Sequence, residues 1–185
     1  KKVIGHINEV GSDILSIIYS YGVEPEFSQE ALDFVNNYKP NKKMDDKRKD
    51  LTHLSIVTID PKTSKDLDDA IYVKKYDDHF LLIVSIADVS SYVPYKSILD
   101  IQTIERATSI YLVDRVVPML PHKLSNDECS LNEVQKHRAI TCEMKINFKG
   151  DILAKDVYPS WICSKKQFSY DEVNELFSGK KINIE

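Results

Sequence analysis

Four aspartates, Asp60, Asp66, Asp68 and Asp69, fall within one ten-residue stretch, DPKTSKDLDD, with the apolar run SIVTI before it and AIYV after it. A solvated acidic segment usually has polar neighbours. These carboxylates are instead pinned at both ends to residues that belong in a core, where like charges repel unless cations neutralise them. Lys62 and Lys65 could do that only in part. Mg2+ would do it better, because it is a hard ion that takes carboxylate oxygen at roughly 2.0–2.1 Å and keeps open positions for water and phosphate. In a regular strand Asp66 and Asp68 share a face and Asp69 points the other way. All four can therefore converge only if the segment is irregular, which predicts a strand, a loop and a second strand. The doublet alone carries no weight, since Asp45-Asp46 and Asp77-Asp78 occur in the same chain.

Other chemistries fail on residue type or spacing. The five glycines, at 5, 11, 22, 150 and 179, are too scattered for a phosphate loop or a dinucleotide fingerprint. The histidines at 6, 53, 79, 122 and 137 show no i,i+4 pairing and none lies near a cysteine with zinc spacing. No G-x-S-x-G elbow is present. As a calcium loop starting at Asp60, the stretch would put Lys65 where the sharp-turn glycine belongs and Ile71 where the bidentate glutamate belongs. What survives is Mg2+ held by aspartates, an arrangement suited to phosphoryl and phosphodiester chemistry.

The elements that must hold these aspartates follow from periodicity. Strands are predicted over LSIVTI before the acidic loop and AIYVKKY after it, with Asp77-Asp78-His79 turning the chain into FLLIVSIADV. That last run is too continuously apolar for a wet face and reads as a central strand covered on both sides. AITCEMKINF alternates, with Ile140, Cys142, Met144, Ile146 and Phe148 on the expected core face, and ILAKDVYPSWI returns as its hairpin partner. Helices are predicted after Ser12 or Asp13 with Gly22 as the stop, after Ser28, after Ser97 with Asp100 completing a capping pattern, and after Ser169 with Glu172. Asn41 to Asp50 reads as a charged linker in which Lys47, Arg48 and Lys49 are solvated. SIYLVDRVVPMLPHKLSNDECSL, interrupted by Pro118 and Pro121, reads as a strand running into a long ordered loop.

The chain has 185 residues, 42% hydrophobic and 29% charged, the balance of a globular protein. A net charge of −4 gives no bulk attraction for nucleic acid, so any phosphate binding must be local or metal-mediated. No apolar run reaches about eighteen residues, so no membrane span is expected. Three cysteines without a C-x-x-C pair fit a reducing cytoplasm. The chain opens on Lys1 without a signal pattern and reads as a piece of something longer.

TIDPKTSKDLDDAIYV resembles the TID-x(5)-D-x-D-D-A signature of the ribonuclease II and ribonuclease R (RNB) family of exoribonucleases. IADVSSYV is similar to that family's I-A-D-V-S-x-Y-V, and TSIYLVDRVVPMLPHKLSNDECSLN resembles the ribonuclease R form of its next block. The resemblance runs from about Leu51 to the end, with a weaker echo in GHINEVGSDILSII. It implies an α+β fold with a mixed, largely antiparallel sheet and flanking helices. Residues 1–50 would be a helical lead-in and charged linker, and 51–185 the N-terminal portion of an RNB catalytic domain.

The implied activity is Mg2+-dependent, processive 3′→5′ hydrolysis of single-stranded RNA from its 3′ end to nucleoside 5′-monophosphates. By the same resemblance Asp60, Asp66, Asp68 and Asp69 match the active-site aspartates. Asp60 and Asp69 would be the firmest metal ligands, and Asp68 the residue whose loss should hurt catalysis most. Tyr111 matches the tyrosine that stacks on the 3′-terminal nucleotide; without the motif it reads as a half-buried strand residue. Arg115 could contact phosphate or pair with Asp114 or Asp88, and Asp88 is expected to brace the site rather than hold metal. Two positions depart from the pattern, Pro61 and Ala107, each standing where a glycine is usual. The family's downstream catalytic arginine and acidic residue, the C-terminal half of the catalytic domain and the cold-shock and S1 RNA-binding domains lie outside these 185 residues. The rival readings are a catalytically inactive RNA-binding module on the same scaffold and a structural domain binding one Mg2+ or Ca2+.

Overall fold

The computed structural model describes residues 3–38 and 47–179. The chain divides into two compact units that do not follow its order, one formed by Lys1–Lys39 with Val93–Lys123 and one by Pro40–Tyr92 with Leu124–Glu185. Among the described residues no helix is long and apolar enough to cross a membrane.

The larger unit is built from β1 (Lys49–Asp50), β2 (Ile56–Asp60), β3 (Asp69–Lys75), β4 (His79–Ala87), and, far along the chain, β7 (Lys136–Asn147) and β8 (Ile152–Ser169). Its sheet runs β8-β2-β3-β4-β7 and returns from β7 to β8, so it closes on itself, with β1 added alongside β8. Closure depends on the 18-residue β8 changing partners along its length. Residues up to Cys163 pair antiparallel with β7, and those from Ser164 pair parallel with β2. The expected mixed, largely antiparallel sheet is present, and β2–β3, β3–β4 and β4–β7 are all antiparallel.

Two expectations about burial need correcting. Strand β4 is central, but only Ile83, Ser85 and Ala87 of it are buried, at alternate positions, and Ile86 is 47% exposed. The strand thus has one covered face rather than two. In β7 the large apolar residues were expected inside, yet Ala139 and Thr141 are fully buried while Ile140 is half-exposed. The interior of a five-stranded closed sheet is narrow and takes small side chains. There the hydroxyls of Ser85, Thr141 and Ser160 satisfy one another, Ser85 to Thr141 at 2.7 Å and Thr141 to Ser160 at 2.6 Å. Apolar packing is supplied by Ile56, Ala70, Ile83, Ala87, Ala139 and Ile162, closed off by Leu67 and Leu131 from the loops.

The charged segment also departs from expectation. Residues 41–46 lie outside the described residues, but Arg48 is no solvated side chain. It donates to the buried carboxylate of Asp88 and to the Ala139 carbonyl. Lys49 begins β1 and donates to Glu143 at 2.9 Å and to the Tyr158 hydroxyl at 3.1 Å.

Helix α4 (Tyr170–Phe177) opens on the predicted capping box, with Ser169 Oγ accepting from the Glu172 N–H and Glu172 accepting from the Ser169 N–H at 2.7 Å. In the smaller unit, α2 (Gln29–Asn37) and α3 (Ile98–Arg106) are capped by Ser28 and Ser97 as expected. Asp100, however, accepts the N–H of Lys96 rather than of Ser97. Helix α1 (Ser12–Ser20) starts at Gly11, whose φ of +85° no serine cap would share. A side chain there would also collide with the guanidinium of Arg115. The same helix ends as predicted at Gly22, with Val23 N–H reaching Ile18 O and Gly22 N–H reaching Tyr19 O. The long segment after α3 forms a two-stranded ribbon, β5 (Ile110–Tyr111) with β6 (Val116–Val117), before its prolines.

Candidate active site

Asp60 is the last residue of β2 and Asp69 the first of β3, and the eight residues between belong to neither strand. The irregularity that four converging carboxylates require is therefore present. Its form is visible in burial: Leu67 is fully buried, Asp68 and Asp69 both face solvent, and Ala70 is buried again. Two consecutive outward residues break the alternation of a regular strand and bring neighbouring carboxylates to one side. Pro61 opens a tight turn closed by Ser64 N–H to Pro61 O at 2.8 Å. The Ser64 hydroxyl lies 3.3 Å from Asp66 Oδ1.

The rest of the loop is held from outside. Ser130 Oγ, itself buried, accepts the Leu67 N–H at 3.0 Å and donates to Lys65 O at 2.8 Å. Leu131 N–H donates to Leu67 O at 2.9 Å, and Ala87 N–H to Asp68 O at 2.8 Å. Beyond Ala87, Asp88 accepts from Ser90 Oγ and Arg48 and donates its own N–H to Arg138 O. Asp88 thus braces the strand end beside the aspartate loop, as expected. The sequence singles out neither the Ser130 nor the Arg48 contact: Ser130 lies within a matched block that does not say what its hydroxyl touches, and Arg48 lies in a basic run.

Electrostatically the loop is under repulsion. Burial, and then the charges of Asp69, Asp66 and Asp68, raise the Asp60 carboxyl above its ordinary value. Burial followed by Asp66 and Asp69 does the same to Asp68. Asp60 Oδ2 is shielded from solvent and has no hydrogen-bond partner. Among the described residues, no three acidic, histidine or cysteine side chains are drawn tightly enough to encage an ion as they stand. The carboxylates are close enough for their charges to raise Asp60 and Asp68 and no closer. The donor set nevertheless fits Mg2+: it is all carboxylate oxygen, one buried oxygen lacks a partner, and exposed Asp68 and Asp69 retain the rotamer freedom to close in.

Comparison with known proteins decides the family. The RNB domain model matches residues 48–185. The chain belongs to the RNB family. An RNB relative, ribonuclease R of Ureaplasma parvum, is 48% identical over 181 residues, covering 96% of this chain and 25% of its own length. The chain thus spans about a quarter of the length of the curated RNB relatives it matches. Mycoplasma genitalium RNase R in complex with ribose-methylated single-stranded RNA matches at TM-score 0.90 and 40% identity, over 99% of this chain and 29% of that one. The same enzyme with double-stranded RNA matches at TM-score 0.91 and 40% identity, over 99% and 33% respectively. The RNB assignment carries the α+β architecture with it.

Tyr111, the remaining candidate, lies in the smaller unit on β5 with its side chain 69% exposed, so the half-buried alternative does not hold. Arg115 in the same unit pairs with Asp114, Nε at 3.0 Å and Nη2 at 2.6 Å, while Asp88 takes Arg48 as partner.

Proposed function

We propose that this chain carries the aspartate cluster of a Mg2+-dependent 3′→5′ exoribonuclease that hydrolyses single-stranded RNA to nucleoside 5′-monophosphates. One observation carries the reading: four carboxylates are gathered on and beside a loop clamped by surrounding backbone, the charges of their neighbours help to raise Asp60 and Asp68, and a buried Asp60 oxygen is left without a partner. Repulsion of this kind costs stability and persists where function uses it. Asp60, Asp66, Asp68 and Asp69 would hold Mg2+, which supplies the positive charge that makes water nucleophilic at neutral pH and offsets charge on the leaving 3′ oxygen. The residues' own task is positional. Asp60 and Asp69 sit on strand ends, fixed by the ladder, whereas Asp66 and Asp68 flank the buried Leu67, Asp66 half-buried and Asp68 exposed. In the reaction water oxygen joins phosphorus, the bond from phosphorus to the 3′ oxygen breaks, and that oxygen takes a proton. The exposed ring of Tyr111 offers a face on which any terminal base can stack.

Asp68→Asn in the full-length protein tests the reading. The variant should bind single-stranded RNA with near wild-type affinity and fail to degrade it, seen by gel-shift and by release of mononucleotides. Mg2+-dependent turnover at the wild-type rate in that variant would overturn the assignment. RNA binding with no turnover even in the wild type would favour the inactive binding module.

A further inference from the structure

We propose that Ser130 is a positioning residue for this chemistry: its buried hydroxyl staples the aspartate loop and sets where the carboxylates of Asp66 and Asp68 stand. The proposal rests on the exoribonuclease reading. The loop from Pro61 to Asp68 belongs to no strand, so its backbone groups must find partners elsewhere. Ser130 Oγ supplies two, donating to Lys65 O and accepting the Leu67 N–H. A hydroxyl has one proton and two lone pairs, so it can serve a carbonyl and an amide at once. Asn132 Oδ1, 3.5 Å from the same oxygen, is the weaker acceptor, because the single proton goes to Lys65 O. The next residue repeats the grip, Leu131 N–H donating to Leu67 O.

The consequence is specific to two carboxylates. Asp66 lies between two backbone groups tied to one oxygen, and Asp68 follows directly after the residue held by both Ser130 and Leu131. Leu67 and Leu131 are both fully buried in the larger unit's core. Without the Ser130 hydroxyl, Leu67 would keep its packing and the Leu131 bond to its carbonyl and act as a pivot, while the peptide planes on either side of Asp66 would lose the bonds that orient them. A misplacement of about 1 Å near reacting groups can cost about 10²-fold in rate. RNA grip should change far less, since it comes from phosphate contacts and base stacking.

Ser130→Ala in the full-length protein, with Ser160→Ala as comparison, is the test. Ser160 is an equally buried hydroxyl that bonds to Thr141 inside the closed sheet, away from the loop. Steady-state kinetics on a single-stranded oligoribonucleotide would be combined with Mg2+ titration and hydrogen exchange at the Leu67 amide. For Ser130→Ala the expected result is a kcat lower by about 10- to 100-fold, an RNA KM within about twofold, a higher Mg2+ half-saturation and faster exchange at Leu67. Ser160→Ala should keep kcat within about twofold even where it lowers stability. If Ser130→Ala does not fold, Ser130→Cys, with a weaker donor and acceptor, is held to the same criteria. Wild-type kcat alongside lost Leu67 protection would overturn the proposal, as would kcat falling equally in Ser130→Ala and Ser160→Ala. Intact RNA after incubation of the wild-type protein with Mg2+ would instead sink the exoribonuclease reading, and this proposal with it.

Discussion

Arg48 Nη2 donates to Asp88 Oδ2 at 2.5 Å, with the two side chains only 13% and 5% exposed. The pair ties the start of the larger unit to the end of β4, next to the backbone that holds Asp68. Breaking a buried pair by removing one partner leaves an uncompensated charge and costs roughly 3–5 kcal/mol. Arg48→Ala should therefore lower unfolding stability by roughly that amount, read from urea denaturation at neutral pH. A loss well under about 1 kcal/mol, typical of a surface pair, would show that the contact contributes nothing.

The same pair sets a pH dependence. Burial pushes the Asp88 carboxyl up, but hydrogen bonds from Ser90 and Arg48 outweigh it, and the net shift is below the ordinary value. A depressed folded-state pKa contributes stability that is fully present above the unfolded value, about 3.9 for aspartate. That contribution is lost as pH falls from there through the folded value. Below about pH 4 wild-type stability should thus decline more steeply than that of Asp88→Asn. Parallel curves for the two proteins in urea titrations would exclude Asp88 as a contributor.

Asp60 has the opposite character. Its carboxyl is raised and one oxygen is buried without a partner, so its charge works against folding in the absence of a cation. Asp60→Asn should raise the metal-free melting temperature by roughly 2–4 °C, the shift that about 1 kcal/mol produces in a protein of this size. Millimolar Mg2+ should raise the wild-type melting temperature, and the variant should lose that shift. Differential scanning fluorimetry of both proteins with Mg2+ and with chelator measures this. An Asp60→Asn protein that is less stable and still responds to Mg2+ would contradict the metal-holding role.

How far these features could be read from the chain depends on how local their causes are. The acidic loop, the strands around it and the Ser169 capping box arise from neighbours in sequence, and the expectation for each survives in the structure. The inward face of β7 did not follow from hydropathy, because the width of the closed sheet selects Ala139 and Thr141 over the bulkier Ile140. The length of β8 escaped for a similar reason: its last residues are strand because β2, about a hundred positions earlier, supplies the ladder. Arg48 and Ser130 act on residues 40 and 63 positions away. No periodicity marks such contacts.

Ala107 closes α3 with φ +61° and ψ −30°, a conformation that L side chains rarely adopt. A residue with a Cβ pays about 1–2 kcal/mol for the left-handed side of backbone space. Glycine avoids that cost while losing about 0.5–1 kcal/mol of chain entropy. Ala107→Gly should therefore stabilise the protein by about 0.5–1 kcal/mol, seen as a higher urea midpoint at unchanged m-value. A lower midpoint would mean that the surrounding helix end relaxes the strain at no cost.

Substitution of Tyr111 tests the proposed holding of RNA separately from its cutting. Its ring is 69% exposed on a two-residue strand paired with Val116–Val117, so it is displayed by the backbone rather than buried by packing. Stacking of one base on an aromatic ring is worth roughly 1–3 kcal/mol, whatever the base. In the full-length protein, Tyr111→Ala should weaken binding of a short single-stranded oligoribonucleotide by about 5- to 150-fold and alter the length of the final digestion product. Tyr111→Phe, which keeps the ring and removes only the hydroxyl, should behave as wild type on both counts. The comparison also isolates the hydroxyl: a loss in Tyr111→Phe equal to that in Tyr111→Ala would assign the role to a hydrogen bond. Identical digestion ladders and affinities for all three proteins would remove Tyr111 from the RNA path.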